Sequence, residues 1–292
     1  MSVQDDIRQR FAELSPALQQ VARFVLEHPN DVVTASMRSV GTRAGSPPAT
    51  LVRFAQWLGF DGWPQLKQAF AHDMGLGSDE AYGQRAKALV GRAGDHDLVG
   101  ETFEVHRRNL EATERRLGDA LQQACALLEK ARSVHVAGFR ASYPVAFSFV
   151  YVYRLLRASV HLLDGQGGTL EMQCRAMERG DALLVVAFAP YSREALAVAQ
   201  AARDAGCRIV ALTDSPASPL ALLADATLLF SLHSPSFFPS ITSAVALSEA
   251  LVELLASRAG KGVVQRIDQA EEQLFASGAY LEAPRSRKAG RD

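Results

Sequence analysis

Cysteine is scarce in this chain: Cys125, Cys174 and Cys207 are odd in number and widely spaced. That set fits neither a disulfide framework nor a zinc site, and a reducing, cytoplasmic setting is expected. Long apolar runs are missing too. The nearest, residues 143–153, is too short to span a bilayer, so no membrane partner is expected. The first residues include Asp5 and Asp6 and no apolar stretch, so no secretion signal is expected. Neither sign of charge dominates: 31 Lys and Arg stand against 32 Asp and Glu, a formal net charge of −1. That excludes a generally polycationic binder, and any nucleic-acid contact has to come from a local surface. No internal repeat is present. Gly138, followed by Phe139 and Ala141, does not make the glycine-rich dinucleotide fingerprint, which argues against a nicotinamide enzyme. No cofactor, metal site or catalytic set is expected. The 292 residues, 48% of them hydrophobic, leave room for one medium domain and one small one.

A local absence is more telling. Residues 32–60 contain no Asp or Glu, while Arg38, Arg43 and Arg53 give the stretch a charge of +3. Within it, 36–58 reads as two short amphipathic helices joined by a sharp turn. Ser36 caps the first, which buries Met37, Val40, Gly41 and Ala44, and Gly45 ends it. Ser46 and Pro47 are expected to cap and open the second, whose apolar stripe is Leu51, Phe54, Ala55 and Leu58. Ala49, Thr50, Arg53, Gln56 and Trp57 then face outward. Such a pair is a helix-turn-helix, whose second helix lies in the major groove of duplex DNA. The expected DNA contacts are Arg38, Arg43, Ser46, Ala49, Thr50, Arg53 and Gln56, with base readout at Ala49, Thr50 and Arg53.

The pattern then changes along the chain. A helix opened by Ser15 and Pro16, with Leu18, Val21, Ala22 and Val25 on one face, should pack on the reading pair. Scattered glycines and charges over 74–100 read as a linker. Residues 109–130 read as one helix carrying Leu110, Leu117, Leu121 and Leu128, able to join the domains or pair in a dimer. From 133 to 257 short apolar runs (SVHVA, SVHLL, DALLVVAF, RIVALT, ATLLF) alternate with helical stretches. Continuous apolarity means strands buried on both faces, hence a parallel sheet between helix layers. The expected class is an all-α N-terminal domain (1–75), a linker and connecting helix (76–118), an α/β domain (119–260), and a C-terminal helix with a disordered tail (261–292). Ligands of such sheets bind outside the carboxyl ends of the strands. Here these are GFRAS at 138–142, FAPYSRE at 188–194 and TDSPASPL at 213–220. A Pro-rich aromatic loop, SPSFFPS, is placed to cover the pocket or a dimer seam.

Two sets of phrases carry family resemblances. TRAG, TLVRF and LGFDGWPQLKQAF resemble the N-terminal domain of the RpiR/MurR family of bacterial transcription regulators, over residues 1–75. VAGFRAS, DALLVVAFAPYSREAL and AGCRIVALTDSPASPLALLAD resemble the sugar isomerase (SIS) domain over 121–257. The second resemblance implies that loop hydroxyls and helix-start amides hold the phosphate of a phosphosugar. Carried over by position, it points to Ser142, Ser192, Thr213, Ser215 and Ser218. The chain departs from the family in its second loop, where Ala187, Ala189 and Pro190 replace two serines and a glycine. Arg140, Tyr191 and Arg193 add charge and an aromatic surface, and an arginine can grip a carboxylate or phosphate bidentately. Arg140 and Arg193 could instead pair with Glu171, Glu194 or an interface partner. Glu249 and Glu253, four apart on the last long helix, are the acid–base candidates of an enzyme, and His135 and His161 read as core or interface histidines. The resemblances imply a non-enzymatic regulator, a homodimer or higher homo-oligomer, that binds a double-stranded operator and senses a small anionic effector. The alternative is a phosphosugar isomerase or lyase with a helical appendage.

Overall fold

Prolines decide where the N-terminal helices begin. The computed structural model describes residues 3–73, 82–92, 97–260 and 262–280; the expected tail at 284–292 lies outside them. The order is α1 (Val3–Gln9), α2 (Pro16–Glu27), α3 (Pro29–Thr34), α4 (Met37–Arg43), α5 (Pro48–Trp57) and α6 (Trp63–Asp73). Proline stands in the first turn of α2, α3 and α5, where its missing N–H costs nothing. Glycines set the ends of α4 and α5. Gly45 (φ +62°) and Gly59 (φ +91°) take the left-handed conformation. Ser46 N–H then reaches Gly41 O at 2.8 Å and Phe60 N–H reaches Ala55 O at 3.0 Å, closing each helix. Ile7, Val21, Val25, Val40, Leu51, Phe54, Leu66 and Phe70 are fully buried in the shared core of these helices.

Two helical expectations change between the domains. Part of the supposed linker is helical, as α7 (Tyr82–Val90), and the stretch read as one helix is two, α8 (Leu98–Glu114) and α9 (Ala120–Lys130). The chain turns between them, with Gly118 at φ +43°. The apolar face expected of this stretch is also turned: Leu110 is partly exposed while Asn109 and Thr113 are buried. The reason is polar docking. Asn109 Nδ2 donates to His233 O (2.7 Å), Ser231 Oγ donates to Asn109 Oδ1 (3.0 Å), and Ser231 N–H donates to Thr113 Oγ1 (2.9 Å).

The α/β domain contains β1 (Val134–Gly138), α10 (Tyr143–Leu156), β2 (Val160–Leu163), α11 (Leu170–Arg175), β3 (Ala182–Val186), α12 (Arg193–Asp204), β4 (Arg208–Thr213), β5 (Ala226–Leu229), α13 (Thr242–Arg258) and α14 (Gly262–Ala276). All strand pairs are parallel, in the order β2-β1-β3-β4-β5. Along β3, Ala182, Leu184 and Val186 face the side covered by α9, α10 and α13, while Leu183 and Val185 face α12. This two-sided burial explains the unbroken apolar runs.

The lower end of the sheet is held by two carboxylates, Asp181, which is buried, and Asp225, which is half-buried. Asp181 accepts from Glu178 N–H (3.0 Å), Arg132 Nε (3.2 Å) and His135 Nε2 (3.2 Å), so His135 is a core histidine. Asp225 accepts from Ile209 N–H (2.8 Å) and Arg208 (2.7 Å). Burial by itself would raise both pKa values. The donors around each carboxylate outweigh it, and both lie below the ordinary aspartate value. A carboxylate with a depressed folded-state pKa stabilises the fold above the unfolded value of about 4, and that contribution is lost as pH falls through the folded value. Acid titration followed by circular dichroism should therefore show stability falling from about pH 4 downward, less steeply in Asp181→Asn. An unchanged slope in that variant would remove Asp181 from the acid response.

Candidate functional site

The outward face of the helix pair is close to expectation at α5 and differs at its start. Ala49, Arg53 and Gln56 are exposed and Thr50 is half-buried, opposite the core face of Leu51, Phe54 and Ala55. Ser36 caps α4 as expected, its Oγ accepting from Ser39 N–H at 3.2 Å. Ser46 does not cap α5. Pro47 does, because the residue before Pro48 is pushed into extended backbone (φ −60°, ψ 151°) and the helix cannot begin sooner. Ser46 is buried, its hydroxyl turned to Ala44 O. Trp57 does not face outward freely either: the Arg10 guanidinium lies 4.0 Å from its ring centroid. Of the three arginines, Arg38 and Arg53 are exposed, whereas Arg43 is also exposed but paired with Asp31 at 2.5 Å.

The second site lies where the strand order reverses, between the carboxyl ends of β1 and β3, the position at which open parallel sheets bind ligands. A cavity of about 190 Å³ opens there. The loop after β1 contributes Phe139, Arg140, Ala141 and Ser142, and the loop after β3 contributes Ala187, Phe188, Pro190 and Ser192. Tyr82 of α7 and Phe238 of the aromatic loop close it. The first loop runs tightly against α10: a Cβ on Gly138 would stand 2.6 Å from Ser142 O and 2.8 Å from Ala146 Cβ. Arg140 adopts φ +55°, a conformation that a residue with a side chain rarely takes. Its side chain is 74% exposed and its Nη2 donates to Glu194 Oε1 at 3.0 Å. Arg140→Gly should be more stable than Arg140→Ala by about 1 kcal/mol in denaturant titration, since both lose the ion pair and only glycine relieves the backbone. Equal stability would mean that the loop relaxes.

The other expected ligand residues are not brought to the cavity wall. Tyr191 Oη donates to Asp214 Oδ1 (2.6 Å), Thr213 Oγ1 to the same atom (3.2 Å), and Ala189 N–H to Asp214 Oδ2 (3.3 Å). Burial first, then the Asp214 charge, pushes the Tyr191 pKa strongly up, so its proton stays in place. Ser215 Oγ accepts from Ala217 N–H (3.2 Å) and Ser218 Oγ from Ala221 N–H (3.0 Å). Ser192 does line the cavity, and its Oγ caps α12 by accepting from Ala195 N–H (3.2 Å). Arg193 is exposed beside Lys67 of the helical domain, whose pKa is lowered by burial and then by this neighbouring charge. Glu249 and Glu253 are exposed on α13, in the groove against α10 rather than at the strand ends.

Comparison with known proteins resolves what this pairing of sites is. Residues 1–75 match the helix-turn-helix domain of the rpiR family, and residues 127–257 match the SIS domain. The chain has the two-domain make-up of an RpiR-type regulator. It is 22% identical to an uncharacterised helix-turn-helix transcriptional regulator of Caldanaerobacter subterraneus subsp. tengcongensis, covering 92% of this chain and 95% of the relative. It is 26% identical to the transcriptional regulator HexR of Pseudomonas aeruginosa, over 74% of each. The fold is that of the sugar isomerase domain of an RpiR transcription factor from Sphaerobacter thermophilus (TM-score 0.58, 24% identity, 61% of this chain and 99% of that one). It is also that of Vibrio vulnificus NanR, solved in complex with ManNAc-6P (TM-score 0.58, 19% identity, 95% of this chain and 99% of that one). Both parts of a DNA-binding transcriptional regulator are thus present in the RpiR-type chain. No helix of its described residues is long and apolar enough to cross a membrane.

Sequence reasoning misses three residues in and behind the crevice. Asp214 lies within the TDSPASPL phrase, where its neighbouring hydroxyls draw attention first. Phe238 is in the aromatic loop expected to cover the pocket or a dimer seam. Tyr82 has no local signal, because its contact with Phe238 spans most of the SIS domain.

Proposed function

We propose that this RpiR-type protein works in the cytoplasm as a homodimer that binds an operator through α5 and senses a small anionic metabolite at the β1/β3 crevice without converting it. The observation that carries the reading is the presence in one chain of an outward, acid-free reading helix and a cavity at the strand reversal. Arg38, Ala49, Thr50, Arg53 and Gln56 contact DNA, with Arg43 in a lesser role. Arg140, Ser142 and Ser192 meet the effector, with Tyr191, Arg193, Thr213, Ser215 and Ser218 shaping its surroundings. Helix-start amides at α10 and α12 favour an anion there. NanR was solved with a sugar phosphate, which supports an anionic effector. The candidate acid–base glutamates sit away from the crevice, which supports sensing without turnover.

Binding of a two-fold operator by the full chain, measured by fluorescence anisotropy, tests the first half. Calorimetric titration of anionic metabolites into wild type, Arg140→Ala and Ser142→Ala tests the second. Loss of binding in these variants with operator affinity retained is expected; unchanged affinity in both moves the effector site elsewhere. Dimerisation is proposed through the outer face of α10, where Phe147, Tyr151 and Val152 are exposed. Sedimentation equilibrium should find a dimer for wild type and a monomer at micromolar concentration for Tyr151→Glu. A Tyr151→Glu dimer would place the interface on another face.

A further inference from the structure

The lining of the crevice restricts the effector more than its charge does. Five rings surround the cavity: Tyr82, Phe139, Phe188, Pro190 and Phe238. Tyr82 and Phe238 already meet in a tilted contact, with centroids 5.1 Å apart at 45°. Such a wall matches a planar apolar body, whose faces and edges satisfy aromatic rings in offset or tilted contacts. A sugar would bring several hydroxyl groups into a cavity whose polar side chains are Tyr82, Arg140, Ser142 and Ser192, too few to pair them all.

The supply of donors points the same way. Ala189 N–H and Tyr191 Oη are taken up by Asp214, so a resident carboxylate occupies the donors of the second loop. Ser192 Oγ accepts from its own helix, which leaves its O–H and that of Ser142 as the serine donors on the wall. Arg140 supplies the positive charge among the residues lining the cavity, and it already faces Glu194. One guanidinium fork matches the two oxygens of a carboxylate. Size agrees as well: about 190 Å³ is the volume of roughly six water molecules and lies below the range of drug-sized pockets.

We propose that the effector is a small aromatic monocarboxylate and that Tyr82 of α7 is one of the residues that contact it. The proposal rests on the reading of the β1/β3 crevice as the effector site. Tyr82 lies outside both matched domains, in the segment that leads from the DNA-binding helices. Arg85, one turn further on, donates to Ser234 O (3.2 Å) and Ser236 O (2.6 Å), tying α7 to the aromatic loop. A ring bound in the cavity would pack on Tyr82 and Phe238 together, and so act directly on the connection to the reading helices.

The test is calorimetric titration of the full chain with benzoate, phenylacetate, 4-hydroxybenzoate, glucose 6-phosphate and inorganic phosphate. At least one aromatic acid should bind about tenfold more tightly than glucose 6-phosphate, and Tyr82→Ala and Phe238→Ala should each weaken it about tenfold. Circular dichroism establishes that each variant is folded, and the two remove different rings of the same contact, one from α7 and one from the aromatic loop. The proposal is overturned if none of the three aromatic acids binds at millimolar concentration, if glucose 6-phosphate binds more tightly than all of them, or if both variants keep wild-type affinity. In the second case, loss of the sugar phosphate in Arg140→Ala would preserve the crevice as effector site. Binding of any of these anions that is unaffected by Arg140→Ala and Ser142→Ala would remove the crevice reading itself.

Discussion

An Arg53→Ala protein is expected to bind its operator about ten- to a hundredfold more weakly and to lose most of its preference over a scrambled duplex. Arg53 stands on the second turn of α5, exposed, with Leu51, Phe54 and Ala55 holding the opposite face in the core. The N-terminal half of the second helix of a helix-turn-helix reaches base edges, and arginine there pairs with guanine through two hydrogen bonds. Fluorescence anisotropy with both duplexes at matched salt reads the effect, since phosphate contacts depend steeply on salt. Equal weakening on operator and scrambled DNA would reduce Arg53 to a phosphate contact. Arg43→Ala should have the smaller effect, because its guanidinium is already paired with Asp31.

Gly138→Ala is expected to cost about 1–3 kcal/mol of stability, lowering the melting temperature by several degrees, and to abolish effector binding. The added methyl would stand 2.6 Å from the Ser142 carbonyl and 2.8 Å from Ala146 Cβ, inside normal contact distance of both. One neighbour is backbone and the other is a buried helix residue, so no flexible side chain can swing aside. The start of α10 has to move off β1, carrying Arg140 and Ser142 with it. Differential scanning calorimetry and ligand titration of the same sample measure both effects. A wild-type melting temperature would show that α10 adjusts without loss.

The strands of the SIS domain are legible in the sequence because burial on both faces demands unbroken apolar runs, as in ALLVV of β3. The reading helices are legible because proline and glycine act locally. Pro47 and Pro48 are also where local reading goes astray: Ser46 looks like a cap until the backbone restriction before Pro48 moves the start by one residue. At 109–130, leucine spacing suggests one continuous helix. The buried face is instead chosen by Asn109 and Thr113, whose partners lie in the loop after β5.

The crevice divides in the same way. Its position follows from the strand pattern, and Arg140, Ser142 and Ser192 reach it from loops recognisable by their residues. Its chemistry does not follow, because serines and threonines in a loop carry no mark of whether their oxygens face a ligand or a neighbouring amide. By itself the sequence determined the two-domain plan, the reading helix and the strand ends that form the crevice, since these depend on local backbone preference and apolar periodicity. Only the tertiary structure decided that Asp214 occupies the loop donors and that Tyr82 closes the cavity, because both depend on contacts between residues far apart in the chain.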